Sequence, residues 1–385
     1  MKIVFICPDS SSLLLFCRGI LAYLKGMPGI VKLDVIVGDD GADEYLKDNN
    51  IGSVVVPIYR FFSISKDTKT LIDLYKVFTR NKYDVVINFS TKPNILGTLA
   101  AFFAKTPRIY FHIVGLGSLN IDTSSLKVKA LRFFLNSLYS ICFKIADKVW
   151  FTNKHNVKYF KDHLSVDAKK IVLTRNYLDT NYYKPIDSDD IELQKLREEL
   201  NIEDEKIVVM VARMIWSKGI KEFVESAKII GIKHHNVRFV LVAPLESDSP
   251  DAVSDSFIQK MDEQNNLTWL QFREDVINFY GISDISVLPT FYQEGGYPRA
   301  LLEPMSMGKP VITTNNPNTI GAVDHDYNGF IVQERNTPEL ADAIERIIFN
   351  EELLKEFGNN SRKKAVGEFD EKLIIKQAFK EMNVI

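Results

Sequence analysis

Short runs of β-branched and aliphatic residues recur along the chain, separated by longer amphipathic stretches. Strands buried on both faces of a parallel sheet read as such near-continuous apolar runs, and the amphipathic stretches between them supply covering helices. In the first half the runs predict strands at 3–7, 33–37, 53–57, 85–89, 108–114, 149–152 and 171–173. The pattern restarts at 207–211 and continues at 238–243, 268–272, 285–288, 311–313 and 330–332. Between the halves lies the polar, acidic stretch Lys184-Pro-Ile-Asp-Ser-Asp-Asp-Ile191, then a charged helical run over 192–200. Such composition marks a domain boundary. The expected architecture is α/β, with two doubly wound Rossmann-like domains, 1–186 and 187–369, facing a central cleft. Residues 370–385 are expected to form a terminal helix that packs back on the body.

Length agrees with two domains, since 385 residues exceed one ordinary core. Hydrophobic residues at 46% and charged residues at 25% are ordinary for a soluble globular protein. A formal net charge of −2 gives no basis for nucleic-acid binding, which calls for a strongly basic surface. Cys7, Cys17 and Cys142 have neither metal spacing nor an even count, which fits a reducing compartment. The apolar start, Met1 to Cys7, reads better as a buried strand than as a signal peptide, because Asp9 and Arg18 interrupt it. No window is long and apolar enough to predict a spanning helix.

Candidate chemistry concentrates in the second half. The predicted strand 285–290 runs into Glu294-Gly-Gly-Tyr-Pro-Arg-Ala-Leu-Leu-Glu303, a glycine-rich turn that opens a short helix. Helix N-termini offer unpaired N–H groups and a positive dipole end to phosphate, and flanking carboxylates can accept bonds from sugar hydroxyls. A second cluster, Val211-Ala-Arg-Met-Ile-Trp-Ser-Lys-Gly219, places Arg213 and Lys218 between a strand end and a helix start. Two cations there could hold a diphosphate, although alone they read equally well as solvated surface charge.

Taken together these pieces resemble the retaining glycosyltransferases of family 4, which have the GT-B fold. The resemblance rests on Arg213 with Lys218-Gly219, Phe272-Arg-Glu-Asp-Val276, Ser283-Asp-Ile-Ser-Val-Leu-Pro289, Glu294-Gly, Pro298-Arg, Leu301-Leu-Glu303 and Met307-Gly-Lys-Pro-Val311. In the first half, Lys92-Pro-Asn-Ile-Leu-Gly97 and Gly115-Leu-Gly117 are similar to a bacterial subgroup acting on lipid-linked sugars. The resemblance implies that Arg213 and Lys218 hold the donor diphosphate, that Glu303 accepts bonds from the nucleotide ribose, and that Glu294 contacts the transferred sugar. Further donor contacts are implied for Gly295, Gly296, Tyr297, Pro298, Arg299, Ala300 and Leu301, and for Arg273 and Glu274 beside the base. Acceptor contacts are implied for Ser11, Lys92, Asn94, Gly115 and Gly117, and a sugar-contacting histidine would be His112. Arg213, Lys218, Glu294 and His112 are the implied catalytic set.

Three departures from the family pattern matter. Glu294 and Glu303 enclose eight residues where the family has seven; either the pair Gly295-Gly296 absorbs the extra one as a bulge, or Gly295 takes the family's glutamate position and Glu294 is only nearby. Arg175-Asn176 stands where relatives carry a glycine-rich turn. His112 lies inside an apolar strand, a position more often held by a packed core histidine.

Other signals carry less. Gly115-Leu-Gly117-Ser-Leu-Asn120 half-matches a dinucleotide fingerprint but lacks its last glycine. Asp187-Ser-Asp189 and Asp324-His-Asp326 read as loop charge, so neither a metal nor a cofactor is expected. The helical stretch from Ser125 through Leu135 to Lys144 mixes bases with large apolar residues, which suits either a half-buried helix or a membrane surface. The function expected is transfer of a hexose or N-acetylhexosamine from a UDP-sugar to an undecaprenyl-diphosphate-linked saccharide, building capsule, O-antigen or another glycan. A UDP-sugar epimerase of the same fold and a non-catalytic sugar-nucleotide-binding partner of a membrane assembly are the alternatives. The location expected is the cytoplasm, with room for peripheral attachment to the inner face of its membrane.

Overall fold

A computed structural model describes residues 1–59, 62–115, 126–164, 166–247, 249–292, 296–317 and 319–384. The chain divides into two compact units, one of residues 1–176 with 371–385 and the other of 177–370.

The first unit is built on seven parallel strands, β1 (Lys2–Ile6), β2 (Lys32–Val37), β3 (Gly52–Val55), β4 (Val85–Phe89), β5 (Arg108–Ile113), β6 (Lys148–Phe151) and β7 (Ile171–Leu173). Their order is β3-β2-β1-β4-β5-β6-β7. The strand order therefore reverses between β1 and β4, the point where doubly wound sheets open a crevice beyond their carboxyl ends. Central strands are buried on both faces, which is why the sequence shows them as uninterrupted apolar runs. The terminal helix Glu371–Met382 packs on the helix Arg18–Gly26 and on β6 and β7, where Phe379 meets Tyr23 and Trp150 edge or tilted.

The second unit repeats the plan with six parallel strands, β8 (Lys206–Val211), β9 (Val237–Val242), β10 (Leu267–Leu270), β11 (Ile285–Leu288), β12 (Val311–Thr314) and β13 (Gly329–Val332). Their order, β10-β9-β8-β11-β12-β13, puts the reversal between β8 and β11. Every strand in these two sheets lies within a residue or two of its predicted run.

Residues 177–183 precede the polar stretch that marks the boundary in the sequence, and they lie in the second unit. Leu178 N donates to Phe369 O at 3.0 Å, and Arg362 Nη1 donates to the carbonyls of Thr180 and Tyr183 at 2.9 and 3.1 Å. The Thr180 hydroxyl donates to Asp370. Leu178 belongs to that unit's apolar core. Among the described residues no helix is long and apolar enough to cross a membrane.

Candidate active site

The loop that leaves β8 is held from two sides. Met214 N donates to Pro244 O at 3.0 Å, Trp216 N to Asp251 O at 2.9 Å, and both the N–H and the hydroxyl of Ser217 donate to the Asp251 carboxylate. On the β11 side, Phe291 N donates to Ser217 O at 2.8 Å and the Thr290 hydroxyl donates to the same carbonyl at 3.2 Å. The loop is thus stitched across the switch point. Gly219 closes it in the left-handed region, with φ +82.

This stitching brings Arg213 and Lys218 together. The Arg213 guanidinium carbon lies 5.1 Å from the centre of the Tyr292 ring, and Lys218 Nζ lies 5.0 Å from it. Two cations around one ring repel each other, and the attraction of each to the Tyr292 π-system offsets part of that cost. Lys218 is buried and Arg213 half-buried, so their combined field is poorly screened by water. Tyr292 is itself anchored. Its N–H donates to the Thr290 hydroxyl at 3.1 Å and its carbonyl accepts from Asn316 Nδ2 at 3.0 Å, tying the ends of β11 and β12 together.

The helix Arg299–Ser306 begins at Pro298, whose carbonyl accepts from the N–H groups of Leu301 and Leu302 at 2.9 and 3.3 Å. Its N-cap, Pro298, contributes no side-chain bond, so among the described residues the positive helix end has no cap from its own start. The helix start is placed by Gly296, at φ +119, and by Tyr297, whose ring packs edge-on to Phe369 at 5.4 Å. Tyr297 is half-buried against this packing and Leu301 is fully buried, so Leu301 can offer a ligand only its backbone.

Glu303, one helical turn beyond Arg299, accepts from Arg299 Nε at 2.7 Å, while Arg299 Nη2 donates to the Tyr183 hydroxyl at 3.2 Å. Burial opposes the Arg299 charge, but Glu303 and Tyr183 outweigh it and hold the guanidinium pKa above its ordinary value. Burial first, and then the Glu303 charge, raise the pKa of Tyr183 and of Tyr280, so both phenols keep their protons. Arg299, expected as a donor contact, is thus engaged in orienting Glu303.

Arg273 is committed too. Its Nε and Nη2 bond Asp275 at 2.8 Å each, and its Nη1 and Nη2 bond Glu199 at 2.5 and 3.1 Å. Those two carboxylates raise its pKa and join the loop after β10 to the helix Ile191–Glu199. Glu274 beside it is exposed.

In the first unit, Ser11 is exposed in the first turn of the helix Ser10–Phe16, whose start is occupied by Asp9, accepting from Ser12 N at 2.7 Å. Lys92 forms a 2.5 Å ion pair with Asp67, and Asn94 Nδ2 donates to the His112 carbonyl at 2.9 Å. Gly115 is exposed, with open space where a Cβ would stand. His112 is buried in mid-sheet, opposite Phe89 on β4 and Trp150 on β6. Its ring stacks on Trp150 with centroids 3.9 Å apart, and neither ring nitrogen has a hydrogen-bond partner among the described residues. Burial pushes its pKa down to about 3, so the ring is neutral. Glu294, Gly295 and Gly117 lie outside the described residues.

The acidic loop pairs occupy other places. Asp324 pairs with Lys364 at 2.5 Å and Asp326 with His325 at 3.5 Å. Among the described residues no three His, Cys, Asp or Glu side chains group as metal ligands.

Comparison with known proteins agrees with this geometry. The family described as glycosyl transferases group 1 matches residues 193–364, from the helix before β8 into the second helix after β13, Glu351–Glu368. The match covers most of the second unit. The whole chain is similar to the Campylobacter jejuni N,N'-diacetylbacillosaminyl-diphospho-undecaprenol alpha-1,3-N-acetylgalactosaminyltransferase, 29% identical over 99% of this chain and 98% of the relative. It is also similar to the Staphylococcus aureus capsular polysaccharide biosynthesis glycosyltransferase CapM, 27% identical over 93% and 90% of the two chains. An Escherichia coli UDP-Gal:alpha-D-GlcNAc-diphosphoundecaprenol alpha-1,3-galactosyltransferase is 27% identical over 85% and 82%. Among solved structures, Anabaena HepE in complex with UDP-glucose superposes with a TM-score of 0.78 at 20% identity, covering both chains fully. WaaG, a glycosyltransferase of lipopolysaccharide biosynthesis, gives 0.71 at 13% over both full chains. The fold shared with these structures is GT-B.

Two residues of the site escaped the sequence reading. Tyr292, two positions before Glu294, was legible only as an aromatic after a strand. Tyr183 lies just before the polar boundary stretch, and nothing in its spacing points to Arg299, 116 positions later.

Proposed function

We propose that this protein is a retaining, metal-independent hexosyltransferase that moves a hexose or N-acetylhexosamine from a UDP-sugar to a polyprenyl-diphosphate-linked saccharide. The observation that carries the reading is the convergence of Arg213 and Lys218 on Tyr292 at the switch point of the unit that the group 1 family matches. The Campylobacter jejuni and Escherichia coli relatives are named for undecaprenyl-diphosphate-linked sugars, and HepE was crystallised with UDP-glucose, which support the substrate classes. The work would be done on the cytoplasmic face of the membrane, in the assembly of a surface glycan.

In this reading the sugar C1–O bond to the diphosphate breaks and negative charge accumulates on the leaving oxygens. Arg213 and Lys218 offset that charge, and the start of the helix Arg299–Ser306 adds its dipole. Glu303, oriented by Arg299, accepts from the ribose, and Glu294 contacts the sugar. The acceptor hydroxyl gives up its proton to the departing phosphate on the same face, which keeps the anomeric configuration.

The test is incubation of the protein with UDP-hexoses and UDP-N-acetylhexosamines, with and without a short-chain polyprenyl-diphosphate-linked sugar, in the presence of a chelator. UDP release that depends on acceptor, with an α-linked product by NMR, is expected. Epimerisation of the donor without acceptor, or an inverted product, would overturn the reading.

Tyr292 supplies a second test. Tyr292→Leu is expected to weaken UDP binding by about 1–2 kcal/mol, roughly 5–30-fold, with Tyr292→Phe near the parent value. Calorimetry that finds Leu and Tyr equivalent would remove the ring from the site.

A further inference from the structure

The helix Leu126–Ile145 has one stripe built into the core and one that is not. Leu135, Tyr139, Cys142 and Phe143 are buried with β5 and β6 residues. The opposite stripe, Lys129, Phe133, Phe134, Ser137, Ile141 and Lys144, is exposed, with Phe133 at 76%. A surface helix ordinarily turns a polar stripe to water, and this one turns aromatic residues flanked by lysines. The neighbouring helix Thr98–Phe103 lies against it and does the same: Thr98, Ala100 and Ala101 are buried while Phe102 and Phe103 are 53% and 61% exposed, followed by exposed Lys105.

Charge separates the candidate occupants of this face. The exposed charges beside these phenylalanines are Lys105, Lys129 and Lys144, and the sequence of neither helix holds an acid, whereas the whole chain has 48 bases and 50 acids. A second copy of a chain with net charge −2 could meet the apolar part, but this face would then bring bases against bases in a symmetric contact. Phenylalanines between lysines match a bilayer, whose acyl boundary takes the rings while anionic headgroups take the ammonium groups.

We propose that the exposed faces of the helices Thr98–Phe103 and Leu126–Ile145 form a docking surface for an anionic lipid bilayer, with Phe102, Phe103, Phe133 and Phe134 inserted and Lys105, Lys129 and Lys144 at the headgroups. The proposal rests on the lipid-linked acceptor only for its purpose. Binding is read without donor or acceptor, so failure of the transfer reading leaves its outcome unchanged.

The experiment is co-flotation of the full chain with vesicles of phosphatidylcholine alone and of phosphatidylcholine with phosphatidylglycerol. Binding to the anionic vesicles at least about tenfold above the neutral ones, weakening with added salt, is expected. The double variants Phe103→Ser/Phe133→Ser and Lys129→Glu/Lys144→Glu should each lose about tenfold or more while keeping the parent melting temperature and UDP affinity. Absence of the protein from anionic vesicles, or equal flotation by parent and both variants, would overturn the proposal. So would a parent chain that is dimeric by light scattering and becomes monomeric in Phe103→Ser/Phe133→Ser, because the stripe would then be an interface between copies.

Discussion

Lys218→Ala is expected to lower kcat/KM by about 10²–10³-fold, the loss seen when one preorganised group facing developing charge is removed. Lys218 is the more buried of the two cations on Tyr292, so solvent cannot readily substitute for it. Arg213→Ala should follow in the same direction with a smaller effect, because Arg213 is half-buried and water can enter its place. The split between constants is informative. A charge that only binds the ground-state diphosphate raises KM for the donor, whereas one that answers charge released in bond breaking lowers kcat. Both are expected for Lys218. Steady-state kinetics at saturating acceptor, beside UDP calorimetry, make the measurement, and full turnover in Lys218→Ala would remove the residue from the mechanism.

The sheets were legible because their strands are buried on both faces, so one-dimensional apolar runs carry the information directly. Tertiary facts were legible only in part. Arg299 and Glu303 are four apart on a helix, so their pairing follows from spacing, yet spacing alone could not say that Arg299 would orient the carboxylate and not a phosphate. His112 shows the reverse limit. Its environment comes from cross-strand register, Phe89 on one side and Trp150 on the other, and neither partner is a sequence neighbour. Tyr292 was hidden for a related reason: its meaning depends on where the loop after β8 comes to rest against the end of β11. The exposed phenylalanines of the helix Thr98–Phe103 were hidden because the residue type predicts burial and only the packed face shows otherwise.

Gly219→Ala should be among the most destabilising single-methyl changes in the second unit, and Gly367→Ala should act in the opposite sense. Gly219 sits at φ +82, and a Cβ there would stand 2.3 Å from the Pro289 carbonyl oxygen and 2.7 Å from its carbon. The left-handed backbone costs an L-residue roughly 1–2 kcal/mol. Forced separation of packed atoms adds roughly 1–3 kcal/mol. Relief cannot come from a side-chain rotation, because the opposing atoms are backbone at the end of β11, tied to the loop by the Phe291 N–H to Ser217 carbonyl bond. A loss of roughly 2–5 kcal/mol corresponds to a fall in Tm of roughly 5–20 °C for a unit of this size. Gly367, in the helix Glu351–Glu368, has nothing within 4 Å of its would-be Cβ. Alanine there only restricts the unfolded chain and should stabilise by roughly 0.5–1 kcal/mol. The two variants have the same chemistry and opposite expected signs, so thermal melts of both separate local geometry from any general effect of added methyl groups. Gly219 also sets the direction of Lys218, its neighbour. At temperatures where Gly219→Ala is still folded, turnover should therefore fall along with UDP affinity, because the methyl pushes the loop off β11 and draws Lys218 away from Tyr292. A melt shifted as expected with unchanged UDP affinity would show that the loop keeps its cations in place without the close contact at Pro289.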